Sequence, residues 1–300
     1  MNLATLGYSA GWRLIRLLPE SWARGLFRAG ADYAVKRGGA SIDQLRTNLR
    51  RVVPRAGEDE LDELVRDSLR SYARYWCEAF RLPSMDIRAA HENHRFQVSG
   101  QENLDAALAN GTGAIAALPH SGNWDMAGVW LVGHSGTFTT VAERLKPESL
   151  YRKFLEFRET LGFEVLPTSG GDRPPATVLA ERLRANKVVC LLADRDLTSS
   201  GVPVTFFGEQ TLMPAGPAHL AATTGAALLP VGCWFTEDGW HFRIHPPIKV
   251  STVQAATQAV ADVFAADIAA HPADWHMLQQ LWLADLPEKR RAALARRLSR

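Results

Sequence analysis

Residues 113–132 read GAIAALPHSGNWDMAGVWLV. The first seven form an unbroken apolar run closed by Pro119, too short for a buried helix and without a polar face. That is how a strand covered on both sides reads. A short break at His120–Gly122 follows, and the next ten residues carry helix-forming apolar side chains. A buried strand that turns directly into a helix is the first half of a β–α unit.

Outward from this stretch the alternation repeats. TFTTVAE (137–143) reads as a strand and ESLYRKFLEFRETLG (148–162) as a helix stopped by Gly162. FEVLP (163–167) is a strand, and PATVLAERLRAN (175–186) is a helix opening on Pro175. KVVCLLAD (187–194) is a second wholly apolar strand. AGPAHLAATTG (215–225) then gives a helix, and AALLPVGCWF (226–235) and HFRIH (241–245) give strands. The expectation is an α/β fold with a central, mostly parallel sheet covered by helices on both faces. Upstream, residues 58–82 place Leu61, Leu64, Leu69, Tyr72, Tyr75, Trp76 and Phe80 on one helical stripe. No linker or repeat interrupts the chain, so residues 1–300 read as one domain behind a helical N-terminal segment, 1–56.

Bulk composition narrows the class. Apolar residues make up 46% of 300 and charged residues 22%, enough for one substantial core and too apolar for disorder. Cys77, Cys190 and Cys233 are odd in number and far apart, which suggests neither a disulfide framework nor a zinc site. The net charge of +2 conceals an asymmetry. Ten basic residues in 1–56 stand against Glu20, Asp32 and Asp43, and the tail EKRRAALARRLSR is basic again. Such ends suit an anionic partner. The first residues lack the pattern of a signal peptide, and no apolar run is long and uninterrupted enough to span a bilayer. Leu6, Trp12, Leu14, Ile15, Leu17, Leu18, Trp22, Leu26 and Phe27 instead recur at helical spacing with arginines between them. That pattern fits a helix lying in the interface of an anionic membrane.

Ligand sites of open α/β sheets gather outside the carboxyl ends of strands. His120 and Asp194 both stand at such ends, and Asp125 falls in the first turn of the following helix. Helical side chains lean toward the N-terminus, so the Asp125 carboxylate is expected to point back at His120. An acceptor there holds one imidazole nitrogen protonated and leaves the other as a base. Competing motifs are weaker. GHSGT (133–137) resembles a hydrolase nucleophile elbow but has Thr137 for the last glycine and follows a helix. The histidines of HENH (91–94), and His241 with His245, lack a nearby third ligand for a metal. Neither a G-x-G-x-x-G run nor a P-loop occurs, and no nucleic-acid-binding motif accompanies the basic ends.

His120-x4-Asp125 after an apolar strand resembles the signature of the glycerolipid-type acyltransferases. The stretches 140–167 and 193–231, with YARYWCEAFRL and PADWHMLQ, are similar to the branch that holds bacterial lipid A acyltransferases and actinobacterial phosphatidylinositol mannoside acyltransferases. MPAGPAHLA and AERLKPESLYRKF look closest to the mannoside enzymes. The resemblance implies transfer of a long acyl chain, such as palmitoyl, from acyl-CoA to a sugar hydroxyl of a mannosylated phosphatidylinositol. It implies His120 as base, Asp125 as its motif partner, and at Asp194 a second carboxylate that contacts the histidine, where glutamate is expected. Glu143, Arg144, Arg158 and Arg195 are implied to line the substrate groove, the arginines suiting phosphate oxygens. It further implies no cofactor, no metal, and a peripheral place on the cytoplasmic face of the cell membrane. A lipid A-type or other lysophospholipid acyltransferase is the neighbouring expectation, and an inactive membrane-surface lipid-binding module the non-enzymatic one.

Overall fold

In a computed structural model, residues 14–143, 148–196 and 200–298 are described. After a helical turn at residues 14–17 come α1 (Glu20–Arg37), α2 (Ala40–Val52) and α3 (Glu58–Arg81). Gly38 and Gly39, both at positive φ, break α1 from α2. Ala31, Leu45, Leu49, Leu61, Val65 and Leu69 pack into a core of their own among these helices. The short α4 (Ile87–Glu92) leads to β1 (Phe96–Ser99) and α5 (Gln101–Ala109). The alternating body follows: β2 (Ala114–Leu118), α6 (Trp124–Ser135), β3 (Phe138–Ala142), α7 (Glu148–Thr160), β4 (Phe163–Pro167), α8 (Pro175–Arg184) and β5 (Val188–Leu192). A hairpin of β6 (Val202–Phe206) and β7 (Glu209–Met213) precedes α9 (Gly216–Thr224), β8 (Ala227–Phe235) and β9 (Trp240–Ile244). Helices α10 (Val253–Ala270) and α11 (Glu288–Leu298) close the described chain.

Seven strands form one sheet in the order β1-β9-β8-β2-β5-β3-β4, with every neighbouring pair parallel except β8 and β9. The mostly parallel sheet expected from the apolar runs is therefore present. Side chains alternate between its faces at the two-residue period of a strand. Ile115, Ala117, Val189, Leu191 and Leu228 face one layer, packed with residues of α8, α9 and α10. Ala114, Leu118, Val188, Leu229 and Val231 face the other, with residues of α5 and α6. Gly128 lets α6 come close to that second layer, because a Cβ there would meet Phe163 Cζ at 2.7 Å and Phe138 Cζ at 2.9 Å.

Among the described residues, no helix is long and apolar enough to cross a membrane. Leu6, Trp12 and Arg13 of the amphipathic pattern lie outside the described residues. Within them, Leu17 is 81% exposed and Trp22 71%, with Leu14 and Leu26 also exposed. The arginines divide differently from a simple polar face. Arg16 turns inward to donate to the Phe80 carbonyl, and Arg24 turns toward Glu20 and Glu78.

Candidate active site

The register of two central strands builds the site. Leu118 of β2 is paired with Leu192 of β5 in parallel, so His120 and Asp194 each stand two residues beyond a matched pair. Adjacent strands lie about 4.8 Å apart, which brings the two side chains within reach. His120 Nδ1 is 2.6 Å from Asp194 Oδ1, and the His120 backbone N–H donates to Oδ2 at 2.9 Å. The Trp275 indole N–H donates to the same Oδ2 at 3.1 Å. Asp194 has no solvent exposure. Burial by itself would push its carboxyl up, but the His120 charge and these hydrogen bonds hold it below the usual carboxylate range. In the neutral imidazole an ionised acid here accepts the Nδ1 proton, and Nε2 is then the nitrogen that can take one.

Asp125 takes a different partner from the one its spacing suggests. The first turn of α6 carries it away from the imidazole. Arg158 of α7 donates to it through Nε at 3.0 Å and Nη2 at 3.1 Å, and the Tyr75 hydroxyl donates at 3.2 Å. Among the described contacts none joins it to His120. The expectation that Asp125 orients the base thus gives way to Asp194 as the contacting carboxylate. One methylene less than glutamate still reaches. The Arg158 fork, read from sequence as a phosphate ligand, closes on Asp125.

Local chemistry fixes the turn between them. Asn123 caps α6 by accepting the Met126 N–H at 3.1 Å. Gly122 has φ +55°, and a Cβ there would lie 2.8 Å from the backbone of Cys233 and Trp234, so no larger residue fits. The segment after α10 braces the same turn: the His276 N–H donates to the His120 carbonyl at 2.8 Å, and the Gly122 N–H to the Asp274 carbonyl at 2.9 Å.

A cavity of about 390 Å³ opens at His120 and runs between the second sheet face and helices α5 and α6. Its walls include Phe163 of β4, Phe138 of β3, Cys190, Leu229 and Ile244, so it crosses from β4 to β9. Five inter-strand spacings amount to about 24 Å, the reach of a long alkyl chain rather than a short acyl group. Glu143, Arg158 and Arg195 line the same cavity, as do Asp125 and His276; Arg144 lies outside the described residues. Burial pushes the Cys190 thiol up, so this wall presents a protonated, unreactive sulfur. Buried polar groups at the mouth, hydrophobic walls behind it and an unprotonated imidazole nitrogen suit acyl transfer.

The family model described as bacterial lipid A biosynthesis acyltransferase matches residues 3–284. The chain belongs to this family. A Mycolicibacterium smegmatis protein named phosphatidylinositol mannoside acyltransferase is similar to it, 62% identical over 295 residues, covering 98% of this chain and 96% of that one. A Mycobacterium tuberculosis protein of the same name is 59% identical over 292 residues, covering 97% and 92%.

For a member of the lipid A acyltransferase family, other residues of the site were not singled out in its sequence. His276 is the foremost. Its Nε2 lies 2.9 Å from Ser71 Oγ, which donates at 2.5 Å to Asp274, so Nε2 carries the proton. Nδ1 is then a bare acceptor, buried and without a hydrogen-bond partner among the described residues. Burial, reinforced by the His120 charge, lowers the His276 pKa to about 3. Tyr75 is buried against Trp124, 4.0 Å between ring centres, and burial followed by the Asp125 charge raises its pKa well above normal. The weaker motifs stay apart from this site. GHSGT spans the end of α6 and the turn into β3. His241 stacks on Trp234, and His245 pairs with Asp267. No group of three metal-ligating side chains gathers among the described residues.

Proposed function

We propose that this chain is an O-acyltransferase that moves a long acyl group from acyl-CoA to a sugar hydroxyl of a mannosylated phosphatidylinositol, with His120 as general base. The observation that carries the reading is the His120–Asp194 pair at the opening of an apolar cavity that crosses the sheet. The relatives' name supports the acceptor class. His120 Nε2 takes the proton of the hydroxyl as its oxygen attacks the thioester carbonyl. The tetrahedral intermediate collapses, the carbon–sulfur bond breaks, and the imidazolium returns its proton to the leaving thiolate. Asp194 keeps Nδ1 protonated and stabilises the imidazolium. The positive amino-terminal end of α6 lies beside the reacting carbonyl and favours the oxyanion. Asp125 and Arg158 hold the wall of the groove, and Glu143 and Arg195 offer the acceptor polar partners. No cofactor and no metal enters these steps.

The acyl chain lies in the cavity between the sheet and α5 and α6, and palmitoyl suits its reach. Exposed Leu14, Leu17, Trp22 and Leu26 support peripheral seating on an anionic membrane, at its cytoplasmic face where acyl-CoA is found. Purified protein, palmitoyl-CoA and mannosylated phosphatidylinositol should yield an acylated product by mass spectrometry. Transfer only to lipid A precursors, or only from acyl carrier protein, refutes the acceptor or the donor respectively. For the membrane, Leu17, Trp22 and Leu26 changed to Ser should reduce co-sedimentation with anionic vesicles. Equal binding of both proteins defeats the seating.

A further inference from the structure

Helix α3 carries a carboxylate that the steps above leave unused. Glu78 is 3% exposed, a rare place for a glutamate. Its Oε2 accepts from Asn123 Nδ2 at 2.7 Å and from the Trp240 indole N–H at 2.7 Å. Its Oε1 accepts from Arg74 Nε at 2.8 Å and lies 3.6 Å from Arg24 Nη2. Both oxygens therefore face donors only. Arg74 also donates to the carbonyls of Thr236 and Gly239, so it is anchored independently of Glu78.

The link to the chemistry runs through Asn123. This amide is 1% exposed, three residues after His120 and two before Asp125. Its oxygen is spent on the Met126 N–H, which leaves its NH2 needing an acceptor away from water. An amide can rotate by half a turn with little change in shape, which would exchange the two ends and destroy the cap. An acceptor-only group facing Nδ2 forbids that rotation. A glutamine would not serve: whichever way its own amide is turned, its NH2 faces Asn123 and Trp240 or faces Arg74.

We infer that Glu78 is a positioning residue for the reaction, locking the Asn123 amide so that the turn from His120 to Asp125 keeps its reactive geometry. The inference rests on His120 being the base. Asp194 and His276 hold the front of this turn, and the Glu78–Asn123 pair holds its rear. Displacement of a reacting group by about 1 Å costs on the order of 100-fold in turnover.

The test is a double-mutant cycle on the full chain with palmitoyl-CoA and mannosylated phosphatidylinositol. Glu78→Gln should lower kcat by about 10- to 100-fold with KM for acyl-CoA little changed. Asn123→Asp retains a capping oxygen but sets a carboxylate against Glu78, and should do the same. The double variant restores a donor facing an acceptor between the two side chains, with the glutamine oxygen toward Arg74. It leaves the Trp240 N–H against the glutamine NH2, so it should regain about tenfold over Asn123→Asp while staying below wild type. Single variants with native kcat, or a double variant no better than the worse single one, overturn the inference. A purely structural contact would move the melting temperature without that recovery. If Glu78→Gln does not fold, Asn123→Asp and the double variant still decide. The NMR signal of the His120 Nδ1 proton, read without substrate, separates two kinds of failure. It should be sharp in the wild type, broadened in each single variant and restored in the double. A wild type that shows this pattern yet transfers no acyl group refutes the functional reading and leaves the positioning intact. An Nδ1 signal unchanged in all variants refutes the positioning.

Discussion

Asp194→Asn changes one atom's identity and almost nothing of shape, yet the geometry predicts a near-complete loss of turnover. The carboxylate accepts from His120 Nδ1 at one oxygen and from the His120 N–H and Trp275 Nε1 at the other. An asparagine must turn its NH2 toward one of these places. Facing the two backbone and indole donors, it would leave both unpaired in a site with no solvent exposure, at about 1–3 kcal/mol each. Facing Nδ1, it loses only one acceptor, provided the imidazole changes tautomer and accepts there. That orientation wins, and it places the remaining proton on Nε2, the atom that must take the substrate proton. In the serine-protease triad, a change of this kind that leaves the wrong tautomer costs about 10⁴-fold in kcat. Here kcat should fall by roughly 10³- to 10⁴-fold with KM for acyl-CoA within a few-fold, measured by thiol release under saturating acceptor. Asp194→Glu keeps the charge but must fit an extra methylene into a filled place, so its activity should lie between wild type and asparagine. An asparagine variant within tenfold of wild-type kcat would refute the tautomer argument.

Protonation of His276 should set part of the acid sensitivity of folding. Its pKa is lowered to about 3 by burial first and the His120 charge second, while in the unfolded chain it protonates near the ordinary histidine value of about 6.5. The unfolded state therefore binds the extra proton as pH falls from about 6.5 toward 3, and stability declines across that window. Between pH 7.5 and 5, His276→Gln should lose about 2 kcal/mol less than wild type in urea titrations; an identical pH dependence contradicts it. Gly128→Ala tests the cavity: its methyl displaces the Phe138 and Phe163 rings, destabilising the fold by about 1–3 kcal/mol and shifting preference toward shorter acyl donors. An unchanged chain-length profile counts against the assigned path of the acyl chain.

Much of the architecture was legible because continuous apolar strands between helices leave little choice of fold. FEVLP coincides with β4, and GAIAALP contains β2 within one residue at each end. The β6–β7 hairpin was missed. Its turn is made by Phe207 and Gly208, both at positive φ, in place of the asparagine or aspartate that usually marks such a turn. Pro203 in β6 further disguised the strand. At the site, strand ends located His120 and Asp194, but sequence spacing favoured Asp125 as the partner. Spacing measures distance along the chain, whereas the pairing of β2 with β5 decides which side chains meet. Glu78, Tyr75 and His276 reach the turn from helix α3 and from the segment after α10, and no local pattern signals contacts made over such separations.

The central claim, that His120 is the base of an acyl transfer, is tested most directly by replacing that one side chain. Wild type and His120→Ala are incubated with saturating palmitoyl-CoA and mannosylated phosphatidylinositol, and the acylated lipid is quantified over time by mass spectrometry. Removal of a general base costs about 10²- to 10⁴-fold, so the alanine variant, folded by circular dichroism, should form product at least 100-fold more slowly. Product formation within a few-fold of the wild-type rate would contradict the account.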